Sequence, residues 1–487
     1  MNDIKEKIAD YINQHKSSLL YDIDHRSIEQ SVMRLINGNK AAGDIINIDD
    51  TTIKERVYKE IGQQEIKQAL QIKEEGVVVY SQNSFVVSPR LPIYHDNGTT
   101  QPPQQQERLQ INSFDVRILS KYKLIFKQCE LKFELNSNYP TSLTFHHQTM
   151  FFDCVFNAEY IIQTLSTDVF AIKNCTFNKN VNFSNAKFCN DVYFNNSHFK
   201  GYADFHECEF EKTACFYGAT FDNPPNFSQA IFKGSLNIVN TNLNFDFENL
   251  NERIKQECQN FNANKGQENK KTLDKFANDF RDSFRLIKNA LVKDNNLLDA
   301  SNFHKYELYC KEIELNSKNP KIFSKDFIDK WQLFFYRITS NHHTDLLKII
   351  NNVVIFIAIF AYLLFVWRCC NNTDFLQYFV DKYSDNGLVK ILSNTLSKTE
   401  CLNMFIIMSL IVCIFCKHLR ILGVWLLFCC VILINPKYIL GIGGFIGGSV
   451  KATGAIENFL FVLYSIIMFL LLFSLQKTAR KNSIIPH

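Results

Sequence analysis

The sequence predicts a mixed fold: a right-handed, quadrilateral β-solenoid, a helical hairpin and an α-helical transmembrane domain. Three observations predict it: many of the 44 phenylalanines recur at fixed intervals, helical periodicity follows them, and the C-terminal third contains long runs without charge. The net charge of +4, and 21% charged residues beside 46% apolar ones, give no overall field towards nucleic acid and exclude global disorder.

The phenylalanines between residues 177 and 232 are separated by gaps that alternate between six and five residues, and a compact residue stands two positions before each. Glycines and the pair Pro224-Pro225 exclude a continuous helix, in which each proline would cost about 3 kcal/mol. A flat strand is excluded because a gap of five turns the next side chain to the opposite face. A chain that turns a corner after every side satisfies both gaps. We therefore expect these rings to fill the solenoid interior: Phe177, Phe183, Phe188, Phe194, Phe199, Phe205, Phe210, Phe216, Phe221, Phe227 and Phe232.

The phrases FSNAKF, FHECEF, FYGATF and FSQAIF resemble the repeats of pentapeptide-repeat proteins, which centre on Phe or Leu with a small residue two positions earlier. The resemblance implies a solenoid, which we place at residues 111–248. With its apolar C-terminal third, the chain resembles bacterial membrane proteins that contain such repeats. Phe145, Phe151, Phe156 and Ile162 fit the same pattern upstream. Residues 163–169 interrupt the pattern, so we expect a bulge or an inserted loop there.

The segments on either side of the repeats have a different texture. Helical spacing followed by a Val-rich stretch predicts an N-terminal helical or α+β domain over 1–94, and a proline- and glutamine-rich linker follows at 95–110. A helical hairpin and a juxtamembrane amphipathic segment are expected over 249–345. In that segment, Trp331 and its aromatic neighbours beside Lys330 and Arg337 are suited to the bilayer surface.

Residues 346–487 predict a transmembrane domain of about four spans, near 349–367, 401–416, 421–436 and 458–476. Lys417 and Arg420 lie in one short loop and further basic residues lie near the C-terminus, which places both on the cytoplasmic side. The first thirty residues are charged throughout and contain no secretory signal. We therefore expect a multi-pass protein of the bacterial inner membrane, in contact with membrane lipid, with both termini in the cytoplasm.

No motif predicts a catalytic residue, a cofactor or a metal site. His342, His343 and Asp345 could ligate a divalent metal, but a polar cap on a helix is the favoured interpretation. The 15 cysteines lack metal-ligand or disulfide spacing, which favours reduced, buried thiols. Candidates for a pore lining or for close helix packing are a carboxylate and a glycine run without phosphate-loop spacing: Glu457, Gly441, Gly443, Gly444, Gly447 and Gly448.

Between residues 173 and 245 six acidic residues stand against six basic ones, so the rod carries no phosphate-like field and we expect no nucleic-acid partner and no mimicry of DNA. The favoured function is that of a non-enzymatic inner-membrane scaffold, which presents the cytosolic solenoid to a protein partner of unknown identity. The alternative is a channel or transporter subunit with the solenoid as its regulatory domain, and a homo-oligomer stays open.

Overall fold

The computed structural model describes residues 2–41, 50–74, 77–89, 107–133, 143–162, 164–263, 270–371 and 454–483. The chain divides into two compact units, Met1–Lys321 and Ile322–His487. The predicted spans near 401–416 and 421–436, and the glycine run from 441 to 448, lie outside the described residues.

The first unit is built around a β-solenoid of about six turns, as the sequence predicts. Its short strands pair in parallel from coil to coil, apart from the antiparallel hairpin of the first two. The strands are β1 Val78–Ser81, β2 Ser84–Val87, β3 Leu109–Ile111, β4 Leu124–Lys127, β5 Cys129–Leu131, β6 Leu143–Phe145, β7 Thr149–Phe152, β8 Val155–Phe156, β9 Tyr160–Ile161, β10 Thr164–Ser166, β11 Phe170–Lys173, β12 Thr176–Phe177, β13 Val181–Asn182, β14 Lys187–Phe188, β15 Val192–Tyr193, β16 His198–Phe199, β17 Ala203–Asp204, β18 Glu209–Phe210, β19 Ala214–Cys215, β20 Thr220–Phe221, β21 Ile231–Phe232, β22 Leu236–Asn237 and β23 Asn242–Leu243.

These strands form four sheets, which are the four sides of the solenoid, and each side is named here by its number of strands. The eight-stranded face has the order β1-β2-β4-β7-β11-β15-β19-β22, and the five-stranded face β21-β18-β14-β10-β6. The seven-stranded face has the order β23-β20-β16-β12-β8-β5-β3, and the three-stranded face β17-β13-β9. Because the chain visits the faces in turn, the five- and seven-stranded faces lie opposite each other.

The interruption expected at 163–169 takes a different form in the structure. Strand β10 lies within this segment and pairs with both neighbouring coils, so the expectation of a bulge or inserted loop is wrong. Ser166 aligns with Phe145 in the preceding coil and with Phe188 in the following one. The coil that ends at Ser166 is therefore one residue shorter than the coil that begins there. The pattern breaks in the sequence because one residue is missing and Ser166 takes a ring's place in its column.

Three helices precede the solenoid: α1 Asn2–His15, α2 His25–Ala41 and α3 Asp50–Ala69, with a 3₁₀ turn at Lys16–Ser18 and another, nearer the repeats, at Val116–Ser120. The three helices share a small core of their own, in which Ile28 and Val57 are fully buried. The C-terminal end of α3 packs against the solenoid core. Strand β2 pairs with β4, so the eight-stranded face extends into the segment before residue 95.

Three more helices follow the last coil: α4 Phe247–Asn262, α5 Leu273–Lys293 and α6 Leu297–Lys318. Helices α5 and α6 form the predicted hairpin, and a turn at 294–296 joins them. The stripe of Phe276, Phe280, Phe284 and Ile287 on α5 is 0–8% exposed and belongs to the same hydrophobic core as the solenoid rings. The helices therefore close the C-terminal end of the solenoid.

The second unit contains α7 Lys325–Ser340, α8 Leu346–Asn371 and α9 Ala455–Ser483. Residues Leu346–Leu364 and Ala455–Arg480 are long and apolar enough to cross a membrane, by length and composition. They coincide with two of the predicted spans and are consistent with a membrane protein. The two helices pack together, with the ring of Tyr464 stacked 3.9 Å from that of Phe360 and 5.4 Å from that of Phe356.

Candidate interaction surface of the solenoid

The interior of the solenoid is filled by columns of parallel rings, one column behind each face. Phe177, Phe199 and Phe221 stack at centroid distances of 4.9 and 4.8 Å behind the seven-stranded face. The remaining columns are Phe183, Phe205 and Phe227; Phe188, Phe210 and Phe232; and Phe194 and Phe216. The first ten of these eleven side chains along the chain are 0–1% exposed, and Phe232, at the end of its column, is half-buried. In the coils that these rings fill, the interior has no room for a ligand, so any binding surface lies on the exterior.

The compact residues two positions before the rings also point inward. Cys129, Cys154 and Cys175 follow one another in a single column, each 0–1% exposed, and the Cys154 backbone N–H donates to the Cys175 sulfur at 3.4 Å. Ser197 continues this column and its hydroxyl donates to the Ile172 carbonyl at 3.0 Å. In the described residues these thiols act as small fillers between neighbouring coils.

The corners of the solenoid contain a second periodic feature, which the sequence reasoning missed. One residue in every eleven has a positive φ, between 52° and 66°: Asn174, Asn185, Asn196, Glu207, Gly218, Gln229 and Asn240. Asparagine and glycine adopt this left-handed conformation most readily, since other side chains crowd the following carbonyl. The recurrent Asn three positions before a Phe was the available signal, and these corners precede the strands of the five- and seven-stranded faces.

The five-stranded face carries an ionic ladder across adjacent coils. Lys187 lies 2.8 Å from Glu209 and 3.3 Å from Glu211, and Lys233 lies 2.7 Å from Glu211. Hydrogen bonds from Lys233 and Lys187 lower the pKa of Glu211, while the bonds of Lys187 to Glu209 and then to Glu211 raise the pKa of Lys187. Beside them Ile231 is 49% exposed. Opposite charges are thus paired within the face, which presents hydrogen-bonding groups and little net field.

The seven-stranded face, on the opposite side, carries a ladder of amides and carboxylates. Asn178 donates to the side-chain oxygen of Asn157 at 2.6 Å, and Asn157 donates to Glu130 at 2.5 Å. On the next coils of the same face, His198 lies 2.8 Å from Asp222, which also accepts from Asn244 at 3.1 Å. These pairs repeat from coil to coil because side chains in register in parallel strands lie side by side.

The three-stranded face is covered at its C-terminal end by α4 and α5. The Arg253 guanidinium lies 3.4 Å from the centre of the Tyr202 ring, and the Ser283 hydroxyl accepts from the Phe227 backbone N–H at 2.9 Å. Tyr202 is 8% exposed, and burial raises the pKa of neighbouring Asp204. The helices therefore occupy this side, while the two ladder faces keep partly exposed side chains in the described part of the chain.

A groove of about 290 Å³ lies at the open end of the α5–α6 hairpin. Its deepest carboxylate, Glu314, is held by Arg281 at 2.5 Å, by Lys318 at 2.6 Å and by Lys311 at 3.1 Å. Burial by itself raises the pKa of Glu314, but these cations outweigh burial and lower it. The groove is a self-neutralised ionic cluster that clamps α5 to α6.

The polar residues considered at the sequence level have separate roles in the second unit. His343 Nδ1 lies 2.7 Å from the Ser474 hydroxyl of α9, and Asp345 accepts from the Lys348 backbone N–H at 2.9 Å, as a helix cap does. Within the described ranges, no group of three or more His, Cys, Asp or Glu side chains could hold a metal ion. Glu457 lies in the first turn of α9 and is 0% exposed.

The comparison with known families agrees with this geometry. Residues 168–209 match the family model described as Pentapeptide repeats (9 copies). These residues run from β11 to the start of β18, so this part of the solenoid is built of pentapeptide repeats, and such a solenoid suggests a protein-interaction domain. No curated protein and no solved structure matches the chain.

Proposed function

We propose that the protein is a non-enzymatic, membrane-anchored interaction protein that presents the five- and seven-stranded faces of its solenoid to a protein partner. The observation that carries the proposal is the division between a solid interior of stacked rings and an exterior of regular polar ladders. A rigid β-scaffold holds such side chains in fixed positions, so the solenoid loses little conformational entropy when a partner binds. Charge balance along the ladders favours a protein partner over nucleic acid.

We further propose that α8 and α9 anchor the protein in the bacterial inner membrane, with the solenoid in the cytosol. The support is the length and hydropathy of the two helices. In addition, the C-terminal end of α9 contains Lys477 and Arg480, and the positive-inside rule assigns such an end to the cytoplasm. The anchor would concentrate the solenoid at the membrane, where the partner would be recruited. Self-association of the anchored chain is compatible with this arrangement.

Site-specific photo-crosslinking in the full chain tests the proposed faces. A photoreactive residue is placed at Lys187, on the five-stranded face, or at His198, on the seven-stranded face, and a matched one at Ser283 of α5, which the solenoid covers. We expect one defined protein adduct from one or both face positions and none from the covered position.

Charge reversal separates recognition from proximity. Lys233→Glu should reduce the adduct formed from Lys187, because it places three carboxylates together in the ladder, whereas Lys179→Glu, at an exposed corner, should leave the adduct unchanged. Equal adducts from exposed and covered positions, or none from both ladder faces in cells, would contradict the proposal.

A further inference from the structure

Helix α7 has an apolar face that α8, α9 and the turns described beside them leave uncovered. Ile328, Trp331, Phe334 and Ile338 recur at helical spacing and are 58%, 53%, 38% and 45% exposed. Helix α5 of the first unit has a comparable stripe, which packs into the solenoid core and is 0–8% exposed. An amphipathic helix is stabilised mainly by covering this stripe, and the described part of the second unit does not supply a cover for α7.

The uncovered surface continues past the start of the helix. Ile322 is 71% exposed and Phe323 is 88% exposed, although Phe323 also has a left-handed φ of 65°. An aromatic side chain in this strained conformation and in water is unfavourable on both counts. Together these six side chains, Ile322, Phe323, Ile328, Trp331, Phe334 and Ile338, form the apolar strip of α7.

The other side of α7 is attached to the helix that follows it. Lys348 of α8 donates to the Arg337 carbonyl at 3.1 Å, and Asn352 donates to the Thr339 carbonyl at 2.7 Å. The rings of Tyr336 and His343 lie 4.6 Å apart at the same junction. The strip therefore belongs to a helix that is fixed at the end of a segment long enough to cross a bilayer.

We propose that the occupant of the apolar strip is the lipid of the bilayer interface, so that α7 is an in-plane anchor beside the first span. Lipid is favoured over protein because only a short turn, 341–345, separates α7 from α8, and because Trp331 lies in the strip while Lys330 and Arg337 lie on the flanks. Tryptophan prefers the headgroup level, and flanking cations interact with lipid phosphates. The inference rests on the proposed membrane anchor but is independent of any partner of the solenoid.

Depth-dependent fluorescence quenching tests this in proteoliposomes of the full chain. The chain has three tryptophans, and replacing Trp367 and Trp425 by Phe leaves Trp331 as the only reporter. We expect lipids brominated near the glycerol backbone to remove most of the Trp331 emission, lipids brominated near the chain ends to remove less, and aqueous acrylamide to have little effect. Strong acrylamide quenching with no bromolipid effect would overturn the proposal, and so would protection from all three quenchers, since protein would then cover the strip.

A matched pair of variants separates contact with lipid from mere proximity. Ile338→Asp puts a charge in the strip and should abolish most of the shallow-bromolipid quenching while acrylamide quenching rises. Gln332→Asp adds the same charge on an exposed position outside the strip and should change neither. If the variant that keeps only Trp331 does not fold, photoactivatable lipid on the unaltered chain gives the same answer. Label on peptides from 322–338 supports the proposal, and its absence there, with label on α8, refutes it.

Discussion

Phe205 lies at the centre of the ring lattice, and its replacement by alanine is the sharpest test of the solenoid interior. It is 0% exposed and stacks on Phe183 and Phe227 at 5.1 and 4.8 Å, with edge contacts to Phe194 and Phe216 at 5.4 and 5.3 Å. Burial of a phenylalanine is lost and a cavity is left, which costs about 3–5 kcal/mol. Each ring pair adds about 0.5–1.5 kcal/mol, so we expect the upper part of that range.

Two further substitutions calibrate this value. Phe232 is half-buried at the end of its column, with its closest ring contact to Phe210 at 4.7 Å, so Phe232→Ala should cost about 1–2 kcal/mol. Lys200 is on the outside, and Lys200→Glu should change the stability by less than about 0.5 kcal/mol. The order of the three effects follows from burial alone.

Native-state hydrogen exchange on the full chain is the appropriate assay, because a chain with several units does not unfold in one step. The free energy of opening is compared for peptides covering residues 177–232 in each variant and in the unaltered chain. A loss at Phe205→Ala as small as that at Lys200→Glu would refute the inside and outside assignments. A loss at Phe232→Ala equal to that at Phe205→Ala would refute the argument from column position.

Three further outcomes follow from backbone and charge. Gln229 has a φ of 58°, so Gln229→Gly should stabilise its corner by up to about 1 kcal/mol. Gly218 has a φ of 66°, so Gly218→Ala should destabilise its corner by about 1 kcal/mol. Thermal shift and hydrogen exchange at residues 213–232 measure both changes, and equal signs would contradict the corner assignment. In Gly62→Ala the new Cβ would lie 2.1 Å from the Phe85 ring, so α3 should pack less tightly on β2 at a cost of about 1–3 kcal/mol. Hydrogen exchange at residues 78–87 should become faster, and unchanged exchange there would count against this packing. Hydrogen bonding to Arg117 lowers the pKa of the Asp115 carboxyl to about 2, and the Tyr21 hydroxyl also donates to this carboxylate at 2.5 Å. The carboxylate therefore contributes stability above about pH 4 that is lost as the pH falls towards 2. Asp115→Asn should remove that part of the acid sensitivity of exchange at residues 16–24, and a variant that keeps it would refute the assignment.

The ring lattice could be predicted from the sequence because its period is read directly from one residue type. Alternating gaps of six and five leave a four-sided coil as the arrangement that keeps every ring on the axis, and the four sheets agree with it. The shorter coil that ends at Ser166 was predicted as an insertion because a missing residue and an inserted loop both interrupt a period. The pairings of β10 distinguish the two, and they depend on long-range hydrogen bonds that a single sequence does not display.

The surroundings of the lattice were less accessible to prediction. The extension of the eight-stranded face through β2 depends on the pairing of Phe85 with Leu124, 39 positions apart, and no local pattern encodes it. The cover provided by α4 rests on the contact of Arg253 with Tyr202, again between distant segments. Helical periodicity predicts that such a helix has an apolar stripe but not which surface the stripe covers.

The arrangement of charge on the solenoid limits what kind of partner can bind. Lys187 and Glu209 neutralise each other on the five-stranded face, as His198 and Asp222 are paired on the opposite one. Recognition of the proposed partner would then depend on hydrogen bonds and on shape repeated from coil to coil, since no long-range field would attract it. Association should accordingly be slow by the standard of steered complexes and nearly independent of salt. A partner whose association rate falls steeply between low and physiological ionic strength would have to bind elsewhere on the chain. Exposed charges interact over about 30 Å at about 0.01 M salt and over only about 8 Å at about 0.15 M, but those of the ladders are already paired and contribute little field at either.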